Sequence, residues 1–500
     1  MARSNTCYLT LLVIVLFLAL SCKCGSEPAA AGDREMLLAV KDEWGNPPQL
    51  ASWNPAIVAN HCDWKGIKCA ASGGAVTELT LQNLSLSGLV PASVCELKNL
   101  NRLDLSYNNL TGAFPTASLY ACKKLRFLDI SNNDFTGRLP ADIDALSPVM
   151  EHLNLSSNSF TGEVPAAVAR LPTLKSLLLD TNNFTGSYPA AEISRLVGLE
   201  CLTLAYNAFS PAPVPLEFAK LTKLTYLWIG GMNLTGEIPE AFAGLTELTV
   251  LAMESNNLTG PIPAWVWQHR KLQCIYLYYN ALSGELTRNV TVVNLIDLDV
   301  SMNQLTGEIP VAFGSLNNLE LLFLYMNQFT GTIPASIGLL PQLTDIRIFN
   351  NQLSGELPPE LGKHSPLGNL WVANNNLSGP LPKTLCANGK LYDIVAFNNS
   401  FSGELPANLA DCILLNNLTL YDNRFSGELP ANLADCMMLE DLMLHGNLFS
   451  GDFPAKIWSL PKLRRVMIQD NRFTGTLPAE ISITIIRIEI RNNMFSGFIP

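Results

Sequence analysis

The sequence is poor in the residues that most often carry out chemistry. Only 15% of its 500 residues are charged, and five are histidine. These histidines are scattered and no Gly-x-Ser-x-Gly segment is present, so no catalytic triad is indicated. Acidic residues outnumber basic ones by 43 to 32, which gives a net charge of −11. Because nucleic-acid binding needs a basic surface, this balance argues against it and favours a neutral or basic partner.

Apolar runs of membrane-spanning length are also missing. The longest run covers residues 8–20, whereas a spanning helix needs roughly 20 apolar residues. Arg3 precedes the run and small residues follow it near 21–26, which is the order of a secretory signal peptide. We therefore predict a signal peptide over residues 1–25 and no membrane attachment through this chain.

Acceptor sites for N-linked glycans agree with secretion. The repeated segments of the chain often contain Asn-Leu-Thr or Asn-Leu-Ser, so some of these sites need not carry glycan. The candidate glycosylation sites are Asn83, Asn109, Asn154, Asn183, Asn233, Asn257, Asn289, Asn376, Asn398 and Asn417.

Cysteine usage fits the same oxidising compartment. Cys62 and Cys69 lie in the segment CDWKGIKC, close enough to close a short disulfide loop. A zinc site is not indicated, because no second Cys or His pair lies nearby at zinc spacing. Cys412 and Cys436 occupy matching positions in adjacent repeats, where either a disulfide bond or two buried thiols would be compatible with the sequence.

Internal repetition dominates the rest of the chain. The segment LDISNNDFTGRLP at 128–140 returns as LDVSMNQLTGEIP at 298–310 and as LTLYDNRFSGELP at 418–430. About 18 such repeats follow one another, each with an LxxLxL segment and a central Asn, a slot that Leu84 and Met232 fill in two repeats. Alternation points the leucines inward on a short strand, and an inward Asn can satisfy buried backbone groups. We predict an α/β repeat solenoid over 77–500, with a parallel β-sheet on its concave face.

The ends of a solenoid need covering. Residues 26–76 read as an N-terminal cap that combines a helix over 33–44 with the Cys62–Cys69 loop, beside which Trp53 and Trp64 should pack. No equivalent cap is recognisable near residue 500, so we expect the C-terminal cap to be missing.

The residues between the inward leucines would face a ligand, and from the seventh repeat they change character. Exposed aromatic residues in a row are typical of a contact surface, although strands favour aromatic residues in any case. We predict a peptide-binding surface made of Tyr226, Trp228, Glu254, Tyr276, Tyr278, Asp297, Asp299, Phe323, Tyr325, Arg347, Phe349 and Trp371. Its paired carboxylates do not predict a glycosidase, because an open sheet does not desolvate a general acid.

The sequence also resembles a known family. LASWNPAIVANHCDWKGIKC at 50–69, followed by repeats that end in LxGxIP, resembles the ectodomains of plant leucine-rich-repeat receptor kinases. LPKTLCANGKL at 381–391 and IRIEIRNNMFSGFIP at 486–500 are most similar to the HAESA-like branch. The resemblance implies a small secreted peptide as ligand, a shorter leucine-rich-repeat co-receptor kinase, and a place at the extracellular face of the plasma membrane in development or defence.

The resemblance also implies parts that the sequence does not contain. A spanning helix and a Ser/Thr kinase that uses ATP and Mg²⁺ would follow residue 500, while no cofactor or metal is expected in the chain itself. Many relatives hold the carboxylate of their peptide with Arg-x-Arg on an inner strand, whereas this sequence has Asp393 and Val395 at such positions. A secreted or kinase-less defence protein that binds a pathogen protein such as a polygalacturonase is the alternative.

Overall fold

Each repeat of the sequence folds into one coil with the same parts: a main strand, a turn that contains the central Asn, a second strand and a short helical segment. A computed structural model describes residues 32–71 and 74–498, and the predicted signal peptide over 1–25 lies outside them. The coils are grouped into two units, Met1–Asn257 and Leu258–Pro500.

In the first unit, the main strands pair in register. Ile67–Cys69 is antiparallel to Val76–Thr80, and the pairs that follow are parallel, so that Leu103, Leu128 and Leu153 lie side by side in the core. The main strands after Val76–Thr80 are Arg102–Asp104, Phe127–Asp129, His152–Asn154, Ser176–Leu178, Cys201–Thr203, Tyr226–Trp228 and Val250–Ala252. The second strands are Ser87–Gly88, Asn109–Gly112, Asp134–Arg138, Ser159–Gly162, Asn183–Gly186, Ala208–Phe209, Ala212–Pro213 and Leu234–Gly236.

The N-terminal cap is built as predicted. A helix covers Asp33–Glu43, and the Asp33 carboxylate accepts a hydrogen bond from the amide of Val76 at 2.8 Å, which ties the helix to the sheet. Trp53 and Trp64 stack with their ring centroids 6.1 Å apart. The helical segments of the first unit after this helix are Pro48–Leu50, His61–Asp63, Ala92–Glu96, Thr116–Leu119, Ile143–Ala145, Ala166–Arg170, Ala190–Ile193, Leu216–Lys220 and Glu240–Gly244.

The second unit repeats the same arrangement. Its main strands are Cys274–Tyr276, Asp297–Asp299, Leu321–Phe323, Asp345–Arg347, Asn369–Trp371, Asp393–Val395, Asn417–Thr419, Asp441–Met443, Arg465–Met467 and Arg487–Glu489. Its second strands are Asn257–Gly260, Ala281–Glu285, Gln304–Glu308, Gln328–Thr330, Ser354–Gly355, Asn376–Gly379, Ser400–Gly403, Arg424–Gly427, Leu448–Asp452 and Arg472–Thr474. Its helical segments are Ala264–Gln268, Val311–Ser315, Ala335–Leu339, Ala407–Asp411, Ala431–Asp435 and Ala455–Ser459.

The central asparagines join neighbouring coils, which confirms their predicted structural role. The side-chain amide of Asn133 donates to the carbonyls of Leu105, Ile130 and Ser131 at 3.0, 3.2 and 3.0 Å. Its side-chain oxygen accepts from the amide of Leu110 at 2.9 Å. Because Leu105 and Leu110 belong to the preceding coil, one buried side chain satisfies backbone groups of two coils.

The two slots without Asn are compensated from the next coil. Asn256 accepts hydrogen bonds from the amides of both Met232 and Leu234, at 2.9 and 3.0 Å. Asn108 likewise accepts from the amide of Leu84 at 3.1 Å. In these two repeats, the backbone amide of the residue in the Asn slot therefore donates to the Asn side chain of the next coil.

Disulfide bonds in the first unit secure its N-terminal part. The predicted bond between Cys62 and Cys69 is present. A second bond, which the sequence did not predict, joins Cys95 in the segment Ala92–Glu96 to Cys122, which follows the segment Thr116–Leu119. Cys201 is a buried free thiol.

The cysteines of the second unit differ from both alternatives that the sequence allowed. Cys412 is bonded to Cys386, and Cys436 is a buried free thiol. Burial raises the pKa of Cys436 to about 11, so this thiol is unreactive near neutral pH. The open pairing of Cys412 is thus resolved in favour of Cys386, which lies in the preceding repeat.

Candidate ligand-binding faces of the main sheets

The open face of the second unit's main sheet carries an aromatic ladder formed by Phe323, Tyr325, Phe349 and Trp371. The rings of Tyr325 and Phe349 stack with centroids 4.5 Å apart, and those of Phe349 and Trp371 lie 6.1 Å apart. All four side chains are half-buried, whereas the inward Leu322 is 1% exposed. The core is therefore filled without these rings, and their exposed faces are available for contact with a ligand.

Arg347 is held inside this ladder. Its guanidinium lies 4.8 Å from the centroid of the Phe323 ring and 4.5 Å from that of Trp371. It also donates to both carboxylate oxygens of Asp345, at 3.0 and 2.8 Å. The predicted contact of Arg347 with a ligand stays a prediction. Asp345 already engages the guanidinium, which lies against two rings of the ladder.

Glu254, in the first unit, is buried, and its direct contact with a ligand stays a prediction. Its side chain is 2% exposed and accepts hydrogen bonds from the indole of Trp228 at 2.8 Å and from the hydroxyl of Tyr206 at 3.2 Å. A Cβ atom at Gly230 would come within 2.6 Å of the Glu254 carboxyl group, so the missing side chain there makes room for it. Trp228 and Tyr226 remain half-buried on the face of their strand.

Asp297 and Asp299 flank the same inward leucine but differ in environment. Asp297 is fully buried and accepts a hydrogen bond from the hydroxyl of Tyr276 at 2.7 Å. Burial raises the pKa of Asp297 to about 6, although the Tyr276 hydrogen bond opposes this. That Asp297 contacts a ligand stays a prediction, and the structure places its carboxylate in the interior with the Tyr276 hydroxyl as a partner. Asp299 and Tyr278 are half-buried on the open face.

A second ring stack on the same face of the second unit was largely missed from the sequence. Phe397 stacks on Tyr421 at 4.4 Å, and Tyr421 stacks on His445 at 4.3 Å, with interplanar angles of 7° and 9°. The three residues follow one another at intervals of 24, as do Tyr325 and Phe349. This spacing was the signal that could have extended the predicted surface to residue 445.

The positions at which relatives hold a peptide carboxylate are occupied differently. Asp393 is half-buried, and burial raises its pKa. Arg465 forms an ion pair with Asp441, and Arg487 forms one with Glu489. The two arginines near the end of the chain are therefore already engaged by carboxylates of the sheet.

The candidate glycosylation sites fall into two groups. Asn154 and Asn417 lie half-buried on main strands, where the amide of Asn154 donates to Asp129 at 2.9 Å and the side-chain oxygen of Asn417 accepts from Thr419 at 2.6 Å. The side chains of the other group are exposed to solvent: Asn83, Asn109, Asn183, Asn233, Asn257, Asn289, Asn376 and Asn398.

Metal binding finds little support in the described residues. His61, Cys62 and Cys69 are the one group there with three possible ligand atoms close together. Both cysteines are consumed by their disulfide bond. In residues 32–71 and 74–498, no helix is long and apolar enough to cross a membrane.

Family models match several parts of the chain. The leucine-rich-repeat N-terminal domain matches residues 30–70, and leucine-rich repeats match residues 75–135, 150–171, 223–245 and 294–316. The receptor protein kinase EMS1 of Arabidopsis thaliana is 37% identical over 101 residues, which cover 20% of this chain and 8% of EMS1. This match therefore spans only a small part of the relative.

Solved structures match over nearly the whole chain. The ectodomain of the Arabidopsis receptor kinase HAESA, in complex with an N-terminally extended IDA peptide hormone, is similar with a TM-score of 0.89 and 35% identity over 94% of this chain and 78% of that one. HAESA in complex with IDA and the co-receptor SERK1 is similar with a TM-score of 0.82 and 31% identity, over 94% of this chain and 87% of that one. The chain belongs to the leucine-rich-repeat ectodomains of plant receptor kinases.

Proposed function

We propose that this chain is the ligand-binding ectodomain of a plant receptor kinase and that it binds a small secreted peptide on the open face of the second unit's main sheet. The observation that carries the proposal is the aromatic ladder of Phe323, Tyr325, Phe349 and Trp371. Its half-buried rings lie on the open face and do not fill the core. The peptide hormones in the two HAESA complexes support the same class of ligand.

The dimensions of this surface suit an extended peptide. Four register steps separate the main strands Cys274–Tyr276 and Asn369–Trp371. At about 4.8 Å a step they span about 19 Å, the length of about six extended residues. Stacked rings offer flat apolar surfaces at small entropic cost, so they favour proline or other apolar residues in the ligand.

Contacts within the sheet hold the centre of the ladder in place before a ligand binds. Arg347 is fixed by two hydrogen bonds to Asp345 and lies between the rings of Phe323 and Trp371. Little side-chain freedom is then lost on binding, which favours affinity. Because Arg465 and Arg487 are paired within the sheet, we propose that ring contacts and not capture of a terminal carboxylate dominate binding.

The remainder of the proposal concerns the intact receptor. A spanning helix and a Ser/Thr kinase that uses ATP and Mg²⁺ would follow residue 500 and place this ectodomain at the extracellular face of the plasma membrane. A shorter leucine-rich-repeat kinase would join the peptide-bound ectodomain, as SERK1 joins the HAESA–IDA complex.

Calorimetry with synthetic secreted peptides, including the IDA hormone, tests the binding proposal. The glycosylated chain should bind at least one peptide, and Phe349→Ser should weaken that binding by about 30-fold, which corresponds to about 2 kcal/mol. Leu339→Ser is the matched control, since Leu339 is 54% exposed on a helical segment away from the ladder. Equal affinity of wild type and Phe349→Ser for every bound peptide would refute the assignment of this face.

A further inference from the structure

The first unit has a hollow on the open face of its main sheet. Tyr226 and Trp228 of the predicted peptide-binding surface are among its lining residues, and the others were not predicted to bind a peptide. The volume of the hollow is ≈ 690 Å³. The side chains that give it its chemical character are Arg102, Asp104, Phe127, Asp129, His152 and Asp180. Three carboxylates thus face one guanidinium, and the hollow carries an excess of negative charge.

The single guanidinium is already engaged at one edge of the hollow. Arg102 lies 3.5 Å from the centroid of the Phe127 ring and 3.3 Å from a carboxylate oxygen of Asp104. Within the described residues, neither Asp129 nor Asp180 forms an ion pair. The negative charge further along the hollow is therefore not neutralised by the sheet itself.

Asp129 occupies the centre of this charge. It accepts hydrogen bonds from the Asn154 side chain and the Ser131 amide, each at 2.9 Å. Burial raises its pKa to about 6 and the neighbouring Asp104 adds to the effect, while the hydrogen bonds oppose it. A positively charged group brought beside Asp129 would relieve this repulsion.

His152 provides independent evidence that the hollow receives a ligand. Its side chain is 9% exposed, lines the hollow and stacks on Phe127 with centroids 4.2 Å apart. Burial lowers its pKa to about 3, and Arg102 contributes, so the ring is neutral near pH 7. Neither ring nitrogen forms a hydrogen bond within residues 32–71 and 74–498, so the neutral ring presents an unpaired acceptor on the lining of the hollow.

We propose that this hollow binds the protonated side chain of an arginine or lysine residue carried by a peptide or protein ligand. Asp129 would meet the charge, and His152 would accept a hydrogen bond. A metal ion suits the hollow poorly, because no three ligand atoms of acidic, His or Cys residues converge there in the described part of the chain. This site lies wholly within the first unit and does not rest on the function proposed for the second.

Calorimetric titration of the glycosylated chain with the blocked tripeptide acetyl-Gly-Arg-Gly-amide tests the proposal. The peptide should bind about tenfold more tightly than its neutral counterpart with citrulline in place of arginine. Asp129→Asn should remove about the same factor, whereas Asp134→Asn, an exposed carboxylate on a second strand, should change binding less than about twofold. Trp371→Ser, in the second unit, should also leave this binding unchanged.

A second variant and a free guanidinium compound distinguish the possible outcomes. His152→Phe keeps the ring stack and removes the acceptor, so it should weaken binding by about threefold to tenfold even if Asp129→Asn is not secreted. Propylguanidinium, a free guanidinium compound with a single positive charge, should bind more weakly than the tripeptide, and its tighter binding would overturn the assignment to a peptide side chain. Equal affinities for the arginine and citrulline peptides, or wild-type binding by both variants, would overturn the proposal altogether.

Discussion

Replacing Asn375 by alanine should weaken the hydrogen bonding between two coils of the second unit. The Asn375 amide donates to the carbonyls of Ile348, Val372 and Ala373 at 3.1, 3.1 and 3.2 Å. Its side-chain oxygen accepts from the amide of Leu353 at 3.0 Å. Alanine removes every one of these hydrogen bonds, and no neighbouring side chain is placed to restore them.

The expected cost follows from the groups that lose their partners. The three carbonyls each keep another donor at 3.0 Å, namely the Asn351 side chain for Ile348, the Asn399 side chain for Val372 and the Asn350 amide for Ala373. The amide of Leu353 loses its acceptor, and a buried donor without a partner costs about 1–3 kcal/mol. We therefore expect the free energy of local opening to fall by about 2 kcal/mol, which corresponds to about 30-fold faster hydrogen exchange at the amide of Leu353. Global melting is a poorer measure, because long repeat arrays need not unfold in one step.

Hydrogen exchange of the intact, folded chain followed by mass spectrometry checks this expectation. Asn369→Ala is the matched control, since Asn369 lies in the same repeat but faces the open side, where it donates to Asp345 at 3.1 Å. Its loss should change exchange at Leu353 little. If Asn375→Ala altered exchange at Leu353 by less than about threefold, the structural role assigned to the asparagines would be refuted.

Other predictions follow from single residues. Between pH 6.5 and 5, the free energy of unfolding in denaturant titrations should fall by about 2 kcal/mol less for His152→Phe than for the wild type. Burial holds the pKa of His152 at about 3, so the unfolded state alone gains the proton. Cys412→Ser should cost about 2–4 kcal/mol and lower the melting temperature, whereas Cys436→Ser should not, because only Cys412 is bonded. Mass spectrometry of the secreted protein should find glycan at Asn109 and none at Asn154, whose amide is hydrogen-bonded on a main strand.

The regular part of the fold could be predicted because it depends on spacing. The central asparagines and the inward leucines recur every 22 to 25 residues, and each occurrence meets the same neighbours in the next coil. The N-terminal helix and the Cys62–Cys69 bond were local enough to be predicted too. The bonds from Cys95 to Cys122 and from Cys386 to Cys412 were not, because their cysteines lie between the strands, where segment lengths vary.

The candidate site could be predicted only in outline. Alternation along a strand predicts which residues point away from the core, but not which of them a neighbour then covers. Glu254 and Asp297 are outward by alternation, yet both side chains are buried and accept hydrogen bonds from Trp228 and Tyr276. The glycine at position 230, which leaves room for the Glu254 carboxyl group, was a local signal that this side chain is buried. The pairing of Asp345 with Arg347 could be found only from the side-chain geometry.

The location of the bound peptide is the most direct test of the account. A bound peptide that carries a photo-reactive benzoylphenylalanine at successive positions can be cross-linked to the glycosylated chain, and the attachment points can be mapped by mass spectrometry. We predict attachment on the main strands that carry Phe323, Tyr325, Phe349 and Trp371, moving from strand to strand as the label moves along the peptide. Attachment confined to the helical segments of the second unit, such as Ala335–Leu339, would contradict the account.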